Sequence, residues 1–252
     1  MRQQVTKKGY ALLLAVFCLL FLFSCDSSPS FSDSEIRADE TIAVIQKAFQ
    51  GKARIDSIHR DLQGDAVVFF YVTQPIDHEN VAKGTFEQYC ALHYKGSDRP
   101  TLLRTEGYAM QGANAYKKDD IVQILGANQI EVEHRYYGYS NAGGSLDWND
   151  PGYWDYNTTA QATADLQEIV KALKATDDFG GKWISSGVSK DGMLTAMYAY
   201  RYPNEMDLYV PFCAPFLTDL NDIRVGTYLT QKCGRADTCI LDGKTCYEMS
   251  IR

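Results

Sequence analysis

Apolar runs and helical stripes alternate along this chain, and the period of the hydrophobic positions sorts one from the other. Ile42, Val44, Ile45 and Phe49 recur among polar neighbours, which predicts a short helix over Glu40–Phe49. Ala66–Thr73 is a β-branched and aromatic run, and Thr85–His93 is a second one beyond Gln74–His78 and the turn at Ala82–Gly84. Two such runs with a short connection predict an antiparallel hairpin. Pro100–Thr105 and Gln129–His134 read as strands on either side of a helical turn at Ile121–Leu125. Thr158 and Gln161 have the spacing of a capping box, and Ala162, Leu166, Ile169, Val170 and Leu173 then make one helical face. Trp183–Ser186 predicts a buried strand, Met193–Arg201 a packed helix, and Leu208–Cys213 another strand. Alternating strands and helices imply an α/β fold: a mixed, mostly parallel sheet of at least five strands, covered by helices on both faces, with Trp183–Ser186 central.

Lys182–Gly192 (Lys-Trp-Ile-Ser-Ser-Gly-Val-Ser-Lys-Asp-Gly) is the stretch on which function turns, because it places Ser189 between a strand and a helix. Two readings stand on these residues alone. Ser189 is either a helix-capping serine after a glycine turn, or the nucleophile of a strained strand–turn–helix elbow of the α/β-hydrolase kind. In the second reading Gly187 supplies the missing side chain that a tight turn needs, and the Lys190 backbone N–H faces a developing oxyanion.

Composition narrows the partners. A chain of 252 residues that is 45% hydrophobic can bury one sizeable core. Its net charge is −7; without residues 1–24, which hold Arg2, Lys7 and Lys8, the 25 basic residues become 22 against 32 acidic ones, or −10. Nucleic acid is thereby excluded as the expected partner. Basic residues followed by the short apolar run Ala11–Phe23 read as an export signal over residues 1–24, and Leu22-Phe23-Ser24-Cys25 resembles a bacterial lipobox. The alternative is a simple secretory signal with Cys25 an ordinary thiol. With Cys25 acylated, residues 25–40 read as a flexible tether from a lipid bilayer, and the protein is expected to be exported and anchored to the cell envelope. The loop Asp147–Tyr156 is crowded with aromatics, which suit either a binding cleft or packing against the domain.

Several blocks in order carry a family resemblance. They are Gln74-Pro-Ile-Asp-His-Glu-Asn80 with Gly84-Thr-Phe-Glu87, Glu133-His-Arg-Tyr-Tyr-Gly138, Trp154-Asp-Tyr156 with Gln161-Ala162 and Asp165-Leu166, Gly181–Lys190, and Val210-Pro-Phe-Cys-Ala-Pro215. From about Gln74 to about Leu220 the chain resembles serine-peptidase family thirty-seven, the secreted bacterial tripeptidyl aminopeptidases, which are α/β-hydrolases distantly similar to lysosomal prolyl carboxypeptidases. Residues 41–220 are therefore expected to form the N-terminal part of a hydrolase domain, and peptides are the implied substrates. The resemblance implies Ser189 as nucleophile and the Lys190 N–H as one oxyanion donor. Gly107-Tyr108, after an early strand, holds the place of the second donor. Glu106 and Glu133, with Arg135 near them, are candidates to hold a substrate α-amino group, the alternative being a buried ion pair that braces the sheet. No cofactor and no metal is implied.

The departures are as specific as the matches. The family and the general Gly-x-Ser-x-Gly motif place glycine two residues after the serine, where a Cβ crowds the neighbouring strand; here the residue is Asp191, followed by Gly192. The family order is serine, acid, histidine, but His59, His78, His93 and His134 all precede Ser189. Residues 221–252 form an atypical tail in which Cys233, Cys239 and Cys246 match no standard zinc spacing. A disulfide cap is one reading of it, and a premature end or frame change the simpler one. A serine aminopeptidase, weak or inactive as written, is thus set against a non-catalytic surface lipoprotein on a hydrolase scaffold, with an esterase or lipase third.

Overall fold

A computed structural model describes residues 31–110, 118–144 and 146–216, together with residues 224, 227–228, 240–241 and 244–245. The export signal, Cys25 and the tail cysteines Cys233, Cys239 and Cys246 lie outside the described residues. Helix α1 spans Phe31–Phe49, and the strands β1 (Ala53–Arg60), β2 (Ala66–Pro75), β3 (Thr85–His93) and β4 (Thr101–Thr105) follow. Helix α2 (Asp120–Leu125) leads into β5 (Asn128–Val132), and α3 (Thr159–Lys174), β6 (Trp183–Val188), α4 (Lys190–Arg201) and β7 (Leu208–Phe212) complete the sheet among the described residues. Residues 240–241 and 244–245 form a separate antiparallel pair, β8 and β9.

The seven-stranded sheet has the order β1-β2-β3-β5-β4-β6-β7. β2 and β3 are the expected hairpin, paired Val68 with Leu92 through to Pro75 with Thr85. β3 is antiparallel to β5, after which β5, β4, β6 and β7 are all parallel. β6 lies one strand from the β7 edge rather than at the centre, because among the described residues only β7 pairs beyond it. β1 was not anticipated: Ala-Arg-Ile-Asp-Ser-Ile-His-Arg is an edge strand that alternates between half-buried and exposed positions, and its polar residues conceal the period.

The main core lies on one face, where Val44, Ile45 and Phe49 of α1, Leu166, Ile169 and Leu173 of α3, and Leu194 and Tyr198 of α4 pack on Phe70, Leu92, Leu103 and Ile130 of the sheet. Among the described residues the opposite face carries only α2, whose Val122 packs with Leu102, Ala127 and Ile184, and a smaller cluster around Phe69, Tyr89 and Met110. The expected cover of helices on both faces is therefore uneven. Helix α1 also begins at Phe31 instead of Glu40, inside the stretch expected to be a tether. Residues 31–40 contain no proline or glycine to stop a helix, and Thr41 and Ala38 are buried, so packing extends it.

The Thr158 cap forms as expected, its hydroxyl accepting the Gln161 N–H at 3.2 Å. Gln161 does not return the bond. Its side chain instead donates to Asp77 at 2.9 Å and accepts the His78 N–H at 2.9 Å, fastening α3 to the loop after β2.

Candidate active site

β6 enters a turn at Val188, and α4 begins at Lys190. Between them Ser189 has φ 61 and ψ −121, a region that a residue with a Cβ rarely occupies and that costs on the order of 1–3 kcal/mol. Three contacts hold it there. The Ser189 N–H donates to the Phe212 carbonyl at 2.9 Å, tying the turn to β7. Gly187 lies so close to α4 that a Cβ would stand 2.6 Å from the Asp191 carbonyl and from the Thr105 hydroxyl. Gly192 lies against the Phe212 carbonyl in the same way. The position that must be glycine for packing against the neighbouring strand is thus Gly192, so the expected crowding at Asp191 does not arise.

Ser189 is the residue before the first turn of α4, yet its side chain makes no capping hydrogen bond. Among the described residues no side chain bonds its hydroxyl. The first N–H groups of a helix have no partner within it, and that of Lys190 stands at the start of α4 with the helix dipole behind it. The Lys190 side chain turns aside. Its ammonium lies 4.3 Å from the Tyr108 ring centre and 4.4 Å from that of Tyr137, and donates to the Tyr137 hydroxyl at 3.1 Å.

The turn after β4 meets this helix start. The Thr105 hydroxyl donates to the Asp191 carbonyl at 2.7 Å and shares a 2.8 Å bond with the Thr195 hydroxyl. The Gly107 N–H donates to Asp191 Oδ1 at 2.6 Å. Gly107 therefore comes to the elbow, but its donor is already engaged. Burial raises the Asp191 pKa, against the opposing effects of the Gly107 N–H, Arg104 and Lys190. The Tyr108 carbonyl accepts the His134 N–H at 3.2 Å, which ties this turn to the end of β5.

The two carboxylates expected to hold a substrate amine do other things. Glu133 is fully buried and accepts the Met110 N–H at 2.9 Å on one oxygen, and the Tyr139 N–H and Ser140 hydroxyl at 2.8 Å on the other. It pins two loops and presents no oxygen to a ligand. Glu106 is buried beside Arg104, 3.2 Å from it, while Arg104 also donates to Glu131 at 3.4 Å. Burial, then the neighbouring Glu131 charge, push the Glu106 pKa up to about 9. Burial raises that of Glu131 as well. Arg104 lies against both carboxylates and so braces β4 to β5 and to the turn after β4.

Arg135 is a second brace. Its guanidinium makes a two-pronged bond to Asp165, 2.7 Å on each oxygen, and donates to the carbonyls of Ile76 at 2.9 Å and Tyr156 at 3.0 Å. His78 joins the same carboxylate at 2.7 Å. Sequence reasoning assigned Asp165 no role, although a lone carboxylate on the stripe that carries Ala162, Leu166 and Ile169 signals a buried partner.

Among the described residues no histidine is hydrogen-bonded to the serine. His134 bonds the Arg135 carbonyl at 2.8 Å and packs edge-on to Tyr137, and burial lowers its pKa. It lines a 170 Å³ cavity beside the elbow with Asn157, Thr158, Lys190 and Met193. His93 lies 3.6 Å from Asp61, and His59 is on edge strand β1.

The sheet order, the antiparallel β3 and a strained serine between β6 and α4 define an α/β-hydrolase-type protein. Residues 51–233 match the family described as PS-10 peptidase S37, and the chain belongs to that family. It is 33% identical over 166 residues to the prolyl tri/tetrapeptidyl aminopeptidase of Streptomyces mobaraensis, an overlap covering 66% of this chain and 32% of that protein. It is 36% identical over 87 residues to the human lysosomal Pro-X carboxypeptidase, covering 34% of this chain and 18% of the human one. The chain thus spans about a third of the Streptomyces protein and less of the human one. A cold-adapted esterase from an Arctic intertidal metagenomic library aligns at 16% identity and TM-score 0.42 over 61% of this chain and 63% of that one, too loose a likeness to bear on chemistry.

Proposed function

We propose that Ser189 is the nucleophile of a serine-type peptidase that releases short peptides from N-termini, held at the cell envelope by an acylated Cys25. One observation carries the catalytic part: Ser189 keeps φ 61 and ψ −121 although it has a Cβ and gains no capping bond from doing so. Strain of that kind persists where the surroundings impose it, and here it lifts the hydroxyl out of the helix cap and leaves it beside the free N–H of Lys190. A peptide carbonyl attacked by the serine oxygen would place its developing negative charge at that helix start, where the N–H and the dipole stabilise it. The name of the Streptomyces relative supports a peptide substrate with a free N-terminus.

A serine hydroxyl is a weak nucleophile until a base takes its proton, and a positioned base contributes ~10²–10⁴-fold. None of the four histidines bonds the Ser189 hydroxyl among the described residues, so turnover is expected to be slow. The test is hydrolysis of tripeptide-linked chromogenic amides together with labelling by a fluorophosphonate probe. Both are expected to be weak and to vanish in Ser189→Ala. Labelling that persists in Ser189→Ala would remove the nucleophile, and strong labelling abolished by His134→Ala would identify His134 as the base.

A further inference from the structure

Asp191 replaces a glycine of the general elbow motif, and its carboxylate has gone to a specific place. It accepts the Gly107 N–H at 2.6 Å. Gly107 belongs to the turn after β4, which in an α/β-hydrolase supplies the second oxyanion donor. The donor and its acceptor are held on both sides. The Thr105 hydroxyl fixes the Asp191 carbonyl at 2.7 Å, and Gly107 sits so tightly against the helix start that a Cβ there would meet Lys190 Cγ and Asp191 Oδ1 at 2.7 Å. Arg104 and Lys190 act on the carboxylate as cations, and Glu106 and Glu131 lie within its electrostatic reach.

We infer that Asp191 is a built-in competitor for the oxyanion site: its carboxylate occupies the Gly107 N–H that a substrate's developing oxyanion needs. This rests on the reading of Ser189 as nucleophile. An incoming carbonyl oxygen has to displace an anion already bonded to the donor, and until it does, stabilisation comes from Lys190 alone. With glycine at this position no side chain could reach the donor. The elbow therefore stays assembled, its two glycines and the Ser189 conformation intact, while one of its two donors is withheld.

The test compares the protein with its Asp191→Gly and Asp191→Asn variants, their folding checked by the amide spectrum away from the elbow. In the parent protein the Gly107 amide proton is expected far downfield and protected from exchange. In Asp191→Gly it should move upfield and exchange ~10-fold faster or more, with Asp191→Asn between, because a neutral amide oxygen accepts less strongly. The rate at which a fluorophosphonate labels Ser189 should rise ~10-fold or more in Asp191→Gly, since one donor is worth ~10²–10³-fold in a working hole. A Gly107 amide unmoved by Asp191→Gly overturns the hydrogen bond. A freed amide with unchanged or slower labelling overturns the competition and makes Asp191 a clamp for the turn. Labelling that is absent from all three proteins, or that survives Ser189→Ala, overturns the nucleophile and this inference with it.

Discussion

Arg135 and Asp165 face each other through two 2.7 Å hydrogen bonds, and neither side chain is reached by solvent. The pair joins the loop after β5 to α3, and through the Ile76 and Tyr156 carbonyls it also holds the loops after β2 and before α3. These are loops on the side of the sheet where Ser189 stands. Removing one partner leaves the other buried and unpaired, a loss on the order of 3–5 kcal/mol. Asp165→Ala is therefore expected to lower the unfolding free energy from urea melts by that much, and it also takes from His78 the carboxylate to which its ring bonds. A loss below about 1 kcal/mol would show that the pair does not brace the fold.

The strain at Ser189 gives a prediction about stability. Glycine tolerates a positive φ that a Cβ resists, so Ser189→Gly should be more stable than Ser189→Ala by about 1 kcal/mol, while both abolish probe labelling. Equal melting temperatures would mean that the turn is relaxed. Gly187→Ala should act in the opposite direction, by ~1–3 kcal/mol, because its Cβ meets the Asp191 carbonyl and the Thr105 hydroxyl, neither of which can move without breaking the elbow.

Glu106 gives a pH dependence. Its folded pKa is raised from 4.5 to about 9 by burial and by Glu131, so the folded protein holds a proton that the unfolded chain has released. The contribution is complete below pH 4.5 and is lost as pH rises toward 9, so stability should fall across that window. Glu106→Gln keeps the shape without the ionisation and should flatten the decline in a series of thermal melts. A profile that stays as steep in the variant would place the titrating group elsewhere.

The envelope anchor is tested separately. Radiolabelled fatty acid should enter the protein expressed in a bacterial host and be absent from Cys25→Ser. Equal incorporation in the two would remove Cys25 as the acylation site.

Much of the architecture was legible because local chemistry is enough for it. Thr85–His93 is a strand over the range that its apolar run marks, and Thr158 caps α3 as its position before the helical stripe requires. The hairpin of β2 and β3 follows from two β-rich runs and a short connection. The turn around Ser189 could be placed between its strand and helix, whereas its strained conformation and the missing capping bond came only from the structure.

What the sequence could not decide depended on partners distant along the chain. Whether Glu133 meets a ligand or two loops is set by Met110 and Ser140, and whether Asp165 is a surface charge or a buried one is set by Arg135. β1 joined the sheet through pairing with β2, although its own residues hardly alternate in polarity. The fate of Asp191 turned on Gly107, 84 positions away, because a carboxylate takes whatever donor the fold brings within about 3 Å. Spacing along the sequence fixes which face a side chain occupies, whereas hydrogen bonding and burial depend on what the opposite surface presents, and only the packed sheet brings those surfaces together.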